Sequence, residues 1–236
     1  MNRVVGLAVL AFFSAFGAHA AVEKQDRVAI VVVELATHSA PEKKFFYNFV
    51  EAAGLAETNT RIKPIYKKVV ILNGPTATLK NFYSSLSAEI ADPTVKAIDT
   101  FINLHGSRGS VLFREGAVKM SDIRATLAAV KGSEKKLRLL NSTACYGESH
   151  NGDWLGAGFK VASGAKRVNA NGAHDFPTLL KAWGAGETYL QAQDKGNEAK
   201  WIKFYDGMAA KWGLDDVDSY KVVEGKSDLT ISSDVP

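Results

Sequence analysis

At 236 residues, 46% of them hydrophobic and 23% charged, the chain is the size of one domain able to bury a full core. Its 29 basic and 25 acidic residues are scattered, with no basic stripe interleaved with aromatics, which argues against a nucleic-acid partner. Past its first residues the sequence has no run approaching a membrane helix, so no membrane partner is expected.

The first twenty residues read as a secretory signal peptide. Arg3 supplies a positive start, Val4 to Phe16 is an apolar run too short to span a bilayer comfortably, and Ala18-His19-Ala20 is a small-x-small cleavage pattern. Cleavage near Ala20 would leave residues 21–236 as one secreted or periplasmic domain. Arg27 to Ala36 is then a continuous aliphatic run, the pattern of a strand covered on both faces. Pro41 opens a helix to about Ala53, with Phe45, Phe46, Phe49 and Val50 expected inward, and Gly54 to Pro64 reads as a loop. A second strand covers Tyr66 to Leu72, and Thr76 caps a helix that Asp92-Pro93 ends. Ala97 to Leu104 is the third strand, running into His105-Gly106.

Ser110 to Met120 predicts a small hairpin, Ser121 caps a helix to about Val130, and Gly132 stops it. Leu137 to Thr143 is the fourth strand, running into Ala144-Cys145-Tyr146-Gly147. Gly147 to Gly152 reads as an exposed loop, Trp154 to Ala162 as a helix and Lys166 to Ala170 as a fifth strand. From Pro177 to about Trp212 the pattern is helical, with Trp201, Phe204, Tyr205 and Trp212 expected against the sheet. An acidic, irregular tail begins near Asp215 and holds one edge strand at Tyr220 to Val223. Strands alternating with helices predict a three-layer α/β/α sandwich with a mainly parallel sheet.

Several chemical signatures are missing: no Gly-x-Ser-x-Gly elbow, no phosphate loop, no dinucleotide glycine pattern and no His-Glu-x-x-His. What the sequence does contain is one cysteine, which cannot form an intrachain disulfide in an exported protein. It stands at the end of an apolar strand, where the open edge of a parallel sheet presents side chains to ligands. His105 ends another such strand 40 residues earlier. Thiol catalysis needs these two side chains.

Both blocks resemble the caspase-like cysteine peptidases, a group that includes caspases, metacaspases, legumains, gingipains and clostripain. Thr143-Ala144-Cys145-Tyr146-Gly147 keeps Ala-Cys-x-Gly of their signature, with Thr in place of Gln, and the histidine lies upstream as in the family. Trp183-Gly184-Ala185-Gly186 and the helix after it also look similar to the region following the fifth strand of small bacterial members. The resemblance implies a Cys145 nucleophile, His105 as general acid and base, and the backbone N–H groups of Gly106 and Cys145 as oxyanion donors. It implies a peptide or protein substrate and no cofactor, and leaves oligomeric state open. Asp175 and Asp153 are candidates to line a pocket for a basic substrate residue.

His150, His174, Glu148, Asp153 and Asp175 form a loose polar set, but their spacing matches no metal-ligand pattern and no metal is expected. Two other functions fit the same residues: an inactive caspase-like domain that binds a protein, and a thiol hydrolase of non-peptide amides or esters.

Overall fold

The computed structural model describes residues 21–235; the expected signal peptide lies outside them. Six strands form one continuous sheet in the order β2 (Lys68–Asn73), β1 (Arg27–Glu34), β3 (Ala97–Ser107), β6 (Leu137–Ser142), β7 (Val161–Ala165) and β8 (Lys221–Gly225). All neighbours are parallel except β7 and β8. A hairpin of β4 (Ser110–Phe113) and β5 (Gly116–Lys119) is paired to the end of β3.

Alternation along β1 explains the layers. Val28, Ile30 and Val32 face one core, which is completed by Phe82, Leu86 and Ile90 of α2 (Leu79–Ala91). Ile123 and Leu127 of α3 (Met120–Ala128) and Trp154 of α4 (Glu148–Gly156) belong to the same core. Ala29, Val31 and Val33 face the other, filled by Phe176, Leu179 and Trp183 of α5 (Gly172–Gly184) and Tyr189 and Ala192 of α6 (Tyr189–Gly196). A strand buried on both faces needs apolar side chains in both registers, hence the unbroken aliphatic runs. The expected three-layer α/β/α architecture is the one found.

Local boundaries differ in instructive places. The first helix, α1 (Lys44–Glu57), continues through a π-turn at Thr58–Ile62 and a 3-10 turn at Lys63–Ile65, so the expected loop is helical. It buries no residue, and Phe45, Phe46 and Phe49 are exposed rather than inward. Phe204 and Trp212, on and just after α7 (Ala199–Lys211), are likewise exposed, not packed on the sheet. The N-cap of α2 is Thr78, whose hydroxyl accepts from Asn81 N–H; Thr76 closes a short turn with Asn73 instead. The helix α3 begins at Met120 without a side-chain cap. After Cys145, residues 148–156 are helical rather than a loop. The fifth strand of the parallel set is Val161–Ala165, one step earlier than Lys166–Ala170, because Gly158 ends the preceding helical turn at φ 116°.

Candidate active site

Three strand ends meet at the carboxyl edge of the sheet, where the chain reverses its direction of winding between β1 and β3. Leu104 is the last residue of β3 opposite β1, paired with Glu34. His105 therefore stands just beyond the ladder, and its Nε2 lies 2.8 Å from the carbonyl oxygen of Leu35. A carbonyl can only accept, so Nε2 carries the proton; in the neutral ring Nδ1 is then the basic nitrogen. Tyr47 of α1 packs its ring against His105 edge-on, centroids 4.7 Å apart.

Cys145 follows β6 by three residues and is half-buried. Thr143 N–H donates to Ile102 O at 2.9 Å, continuing the β3–β6 contact past the ladder, and the Asn169 N–H donates to Cys145 Sγ at 3.4 Å. Asn169 Nδ2 also donates to Thr143 O at 2.9 Å, and the Thr143 hydroxyl donates to Asn103 Oδ1 at 2.6 Å. The sulfur thus sits among neutral amides and hydroxyls. Burial pushes its thiol up, with the Asn169 N–H opposing. Burial pulls His105 down, partly offset by the Leu35 carbonyl. Both members are neutral at neutral pH.

The two glycines of the motifs are there for space. A Cβ on Gly106 would lie 2.7 Å from Cys145 O and 2.9 Å from Ala144 Cβ, so the histidine strand and the cysteine turn are in direct contact. Gly147 has an ordinary helical φ of -58°, but a Cβ there would meet the Gly164 Cα at 2.8 Å. Backbone passes against backbone at both points. In the two-residue hairpin, Ser107–Ser110 is the hydrogen-bonded closing pair. Gly106–Val111 is then the open pair, and the Gly106 N–H points away from β4. Tyr146, between cysteine and glycine, holds a left-handed φ of 56°. Its N–H donates to Arg167 O at 2.8 Å, its hydroxyl donates to Asp216 at 2.8 Å, and Arg108 covers its ring at 4.9 Å. These contacts hold a conformation that costs a side chain about 1–2 kcal/mol.

The structure sets Gly106, the residue after His105, against the Cys145 peptide, and places the other candidates elsewhere. Asp175 is a buried residue of α5, with Oδ2 2.5 Å from Lys221 Nζ and Oδ1 accepting from Gln193 Nε2 at 2.6 Å. A carboxylate neutralised inside the core lines no substrate pocket. Asp153 faces α3, 3.5 Å from Arg124. His150 is buried, its Nε2 2.7 Å from Ser107 O, so it braces the end of β3; His174 stacks on Trp201. Glu148 occupies the first turn of α4. Among the described residues no group of three or more His, Cys, Asp or Glu could hold a metal ion. Leu35 and Asn169 could not be found from sequence, since each meets the pair through a backbone atom, the Leu35 carbonyl on His105 and the Asn169 N–H on Cys145. Tyr47 left a trace: with Glu51 and Gly54 it repeats at helical spacing.

No family model and no curated protein matches the sequence. Solved structures do match: caspase-1 from Spodoptera frugiperda superposes with a TM-score of 0.59 at 10% identity, covering 90% of this chain and 92% of its own. At that identity the likeness is one of fold, and the fold is caspase-like.

Proposed function

We propose that this caspase-like chain is a cysteine endopeptidase acting through Cys145 and His105. The observation that carries the reading is the fixed tautomer of His105, Nε2–H bound to the Leu35 carbonyl, on a strand whose next residue touches the cysteine peptide. With both groups neutral at rest, Nδ1 takes the Cys145 proton as Sγ adds to the substrate carbonyl. The backbone N–H groups of Gly106 and Cys145 are the donors for the oxyanion. Collapse of the adduct leaves a thioester on Sγ, and the amine departs with the proton from Nδ1. Water, deprotonated by the same nitrogen, then releases the acid and restores the thiol. Export ahead of residue 21 and a peptide substrate belong to the same proposal.

The test is cleavage of a mixed peptide library by wild type and by Cys145→Ala. The expected result is cleavage that the substitution abolishes, a loss of about 10³-fold or more. Equal cleavage by both proteins overturns the reading. Hydrolysis of small esters with peptides left intact would move it to a non-peptide thiol hydrolase.

A further inference from the structure

One carboxylate at this edge has no part in the reaction above. Glu51 Oε1 accepts the Leu35 N–H at 2.5 Å and the Ala36 N–H at 2.9 Å. Both N–H groups lie just past the end of β1, where no neighbouring strand is left to accept them. The Ala36 N–H and the Leu35 C=O are the two ends of one trans peptide. Glu51 therefore holds one end of that peptide and His105 the other, in the order carboxylate, N–H, C=O, Nε2–H.

We propose that Glu51 is the positioning residue for His105, acting through the Leu35–Ala36 peptide as a directly bonded carboxylate acts in a Ser-His-Asp triad. Gripping the N–H polarises the amide and makes its oxygen a stronger acceptor, since hydrogen bonds in a chain reinforce one another. This fixes the tautomer with Nδ1 basic and stabilises the imidazolium formed when Nδ1 takes the thiol proton. The placement is economical: Tyr47, one turn before Glu51 on α1, packs on the His105 ring itself. A Cβ on Gly54, the next step of this face, would lie 3.1 Å from Asn103 Nδ2. The inner face of α1 therefore touches the supports of both partners. Among the groups facing His105, Glu51 and Glu34 favour its charged form, while His38 and burial oppose it. Tyr47 and Cys145 are neutral at working pH, burial raising both.

The inference rests on the proposed peptidase reading, so two readouts separate them. In Glu51→Gln, which keeps the size and an acceptor oxygen but loses the charge, kcat on a peptide that wild type cleaves should fall about tenfold. That is a fraction of the roughly 10²–10⁴-fold that acid–base catalysis supplies. KM should hold, and the acid limb of kcat/KM should move to lower pH. Independently of turnover, NMR titration of the His105 ring should show a lower midpoint in Glu51→Gln than in wild type, while Asn48→Ala on the same helix leaves it in place. A wild type that cleaves nothing would overturn the peptidase reading and leave the titration to decide the role of Glu51. An unchanged His105 midpoint overturns that role, whatever the kinetics. Glu51→Ala should give the larger effect; should it not fold, the Gln variant carries the test.

Discussion

Cys145 is a half-buried thiol among neutral groups. The Asn169 N–H and the residue's own N–H favour the thiolate, but burial prevails and holds the thiol above its ordinary value, near 8.5 for a free cysteine. Iodoacetamide labelling should therefore be slow at pH 6 to 7 and rise toward alkaline pH. His105→Ala should leave that curve nearly in place, because burial holds the His105 imidazole uncharged at neutral pH. Fast labelling of wild type at pH 6 would show a preformed thiolate–imidazolium pair instead. Turnover should have the opposite sensitivity. Burial holds His105 below its ordinary 6.5, so Nδ1 stays able to accept a proton until the pH falls through that lowered value. The acid limb of kcat/KM is expected below 6.5, and an acid limb at or above it would contradict the neutral pair.

At the scale of elements, the site depends on how closely backbones approach one another. The turn carrying Cys145 lies on β7 through Gly147 and Gly164, each in the position where the other's Cβ would go. A methyl group at 164 would meet main chain, which cannot rotate away. Gly164→Ala should then cost about 1–3 kcal/mol, as overpacking does, and displace the cysteine turn. Thermal denaturation with thiol labelling checks both, and an unaltered melting temperature would rule out the close approach. The helix α1 makes the same point from the other side. Hydrophobicity alone put Phe45, Phe46 and Phe49 inward, yet the stripe that touches the sheet edge is Tyr47, Glu51 and Gly54. The ring of Phe46 instead meets that of Trp212 beyond α7, centroids 5.8 Å apart.

Across the whole molecule, the end opposite the site is closed by the C-terminal tail. Arg138 is buried on β6, paired with Asp99 at 2.6 and 2.9 Å, and its Nη1 donates to the carbonyls of Ile231 and Ser233. Arg27 donates to the same Ile231 carbonyl at 2.7 Å. The Tyr66 hydroxyl completes the Asp99 shell at 2.6 Å and accepts from the Trp183 indole at 3.0 Å. Leu229 and Ile231 go into the second core. Removing residues 228–236 takes away two buried aliphatic side chains, about 1.5–3 kcal/mol each, and leaves Arg138 short of acceptors. At about 2–4 °C per kcal/mol for a domain of this size, the melting temperature should drop by roughly 10 °C or more. A truncated chain that melts with the full one would show the tail to be passive.

The sequence by itself determined the parallel α/β sandwich, because strands buried on both faces must be apolar in both registers, and those runs in β1, β3 and β6 are unmistakable. It also placed a histidine and the lone cysteine close to the carboxyl ends of two such strands, although β3 runs on to Ser107 and β6 stops at Ser142. Boundaries near the site were less legible: residues 148–156 are rich in Gly, Ser, Asn and Asp yet form a helix, since Trp154 anchors them in the core and local propensity yields to burial. Only the tertiary structure decided which charges are available. Asp175 looks like a free carboxylate in the chain, and only the packing of β8 shows Lys221 against it. The supports of the pair were beyond reach for the same physical reason: Leu35 meets His105 and Asn169 meets Cys145 through backbone atoms that residues of any type offer, and Glu51 reaches His105 only through a peptide that the end of β1 leaves unpaired.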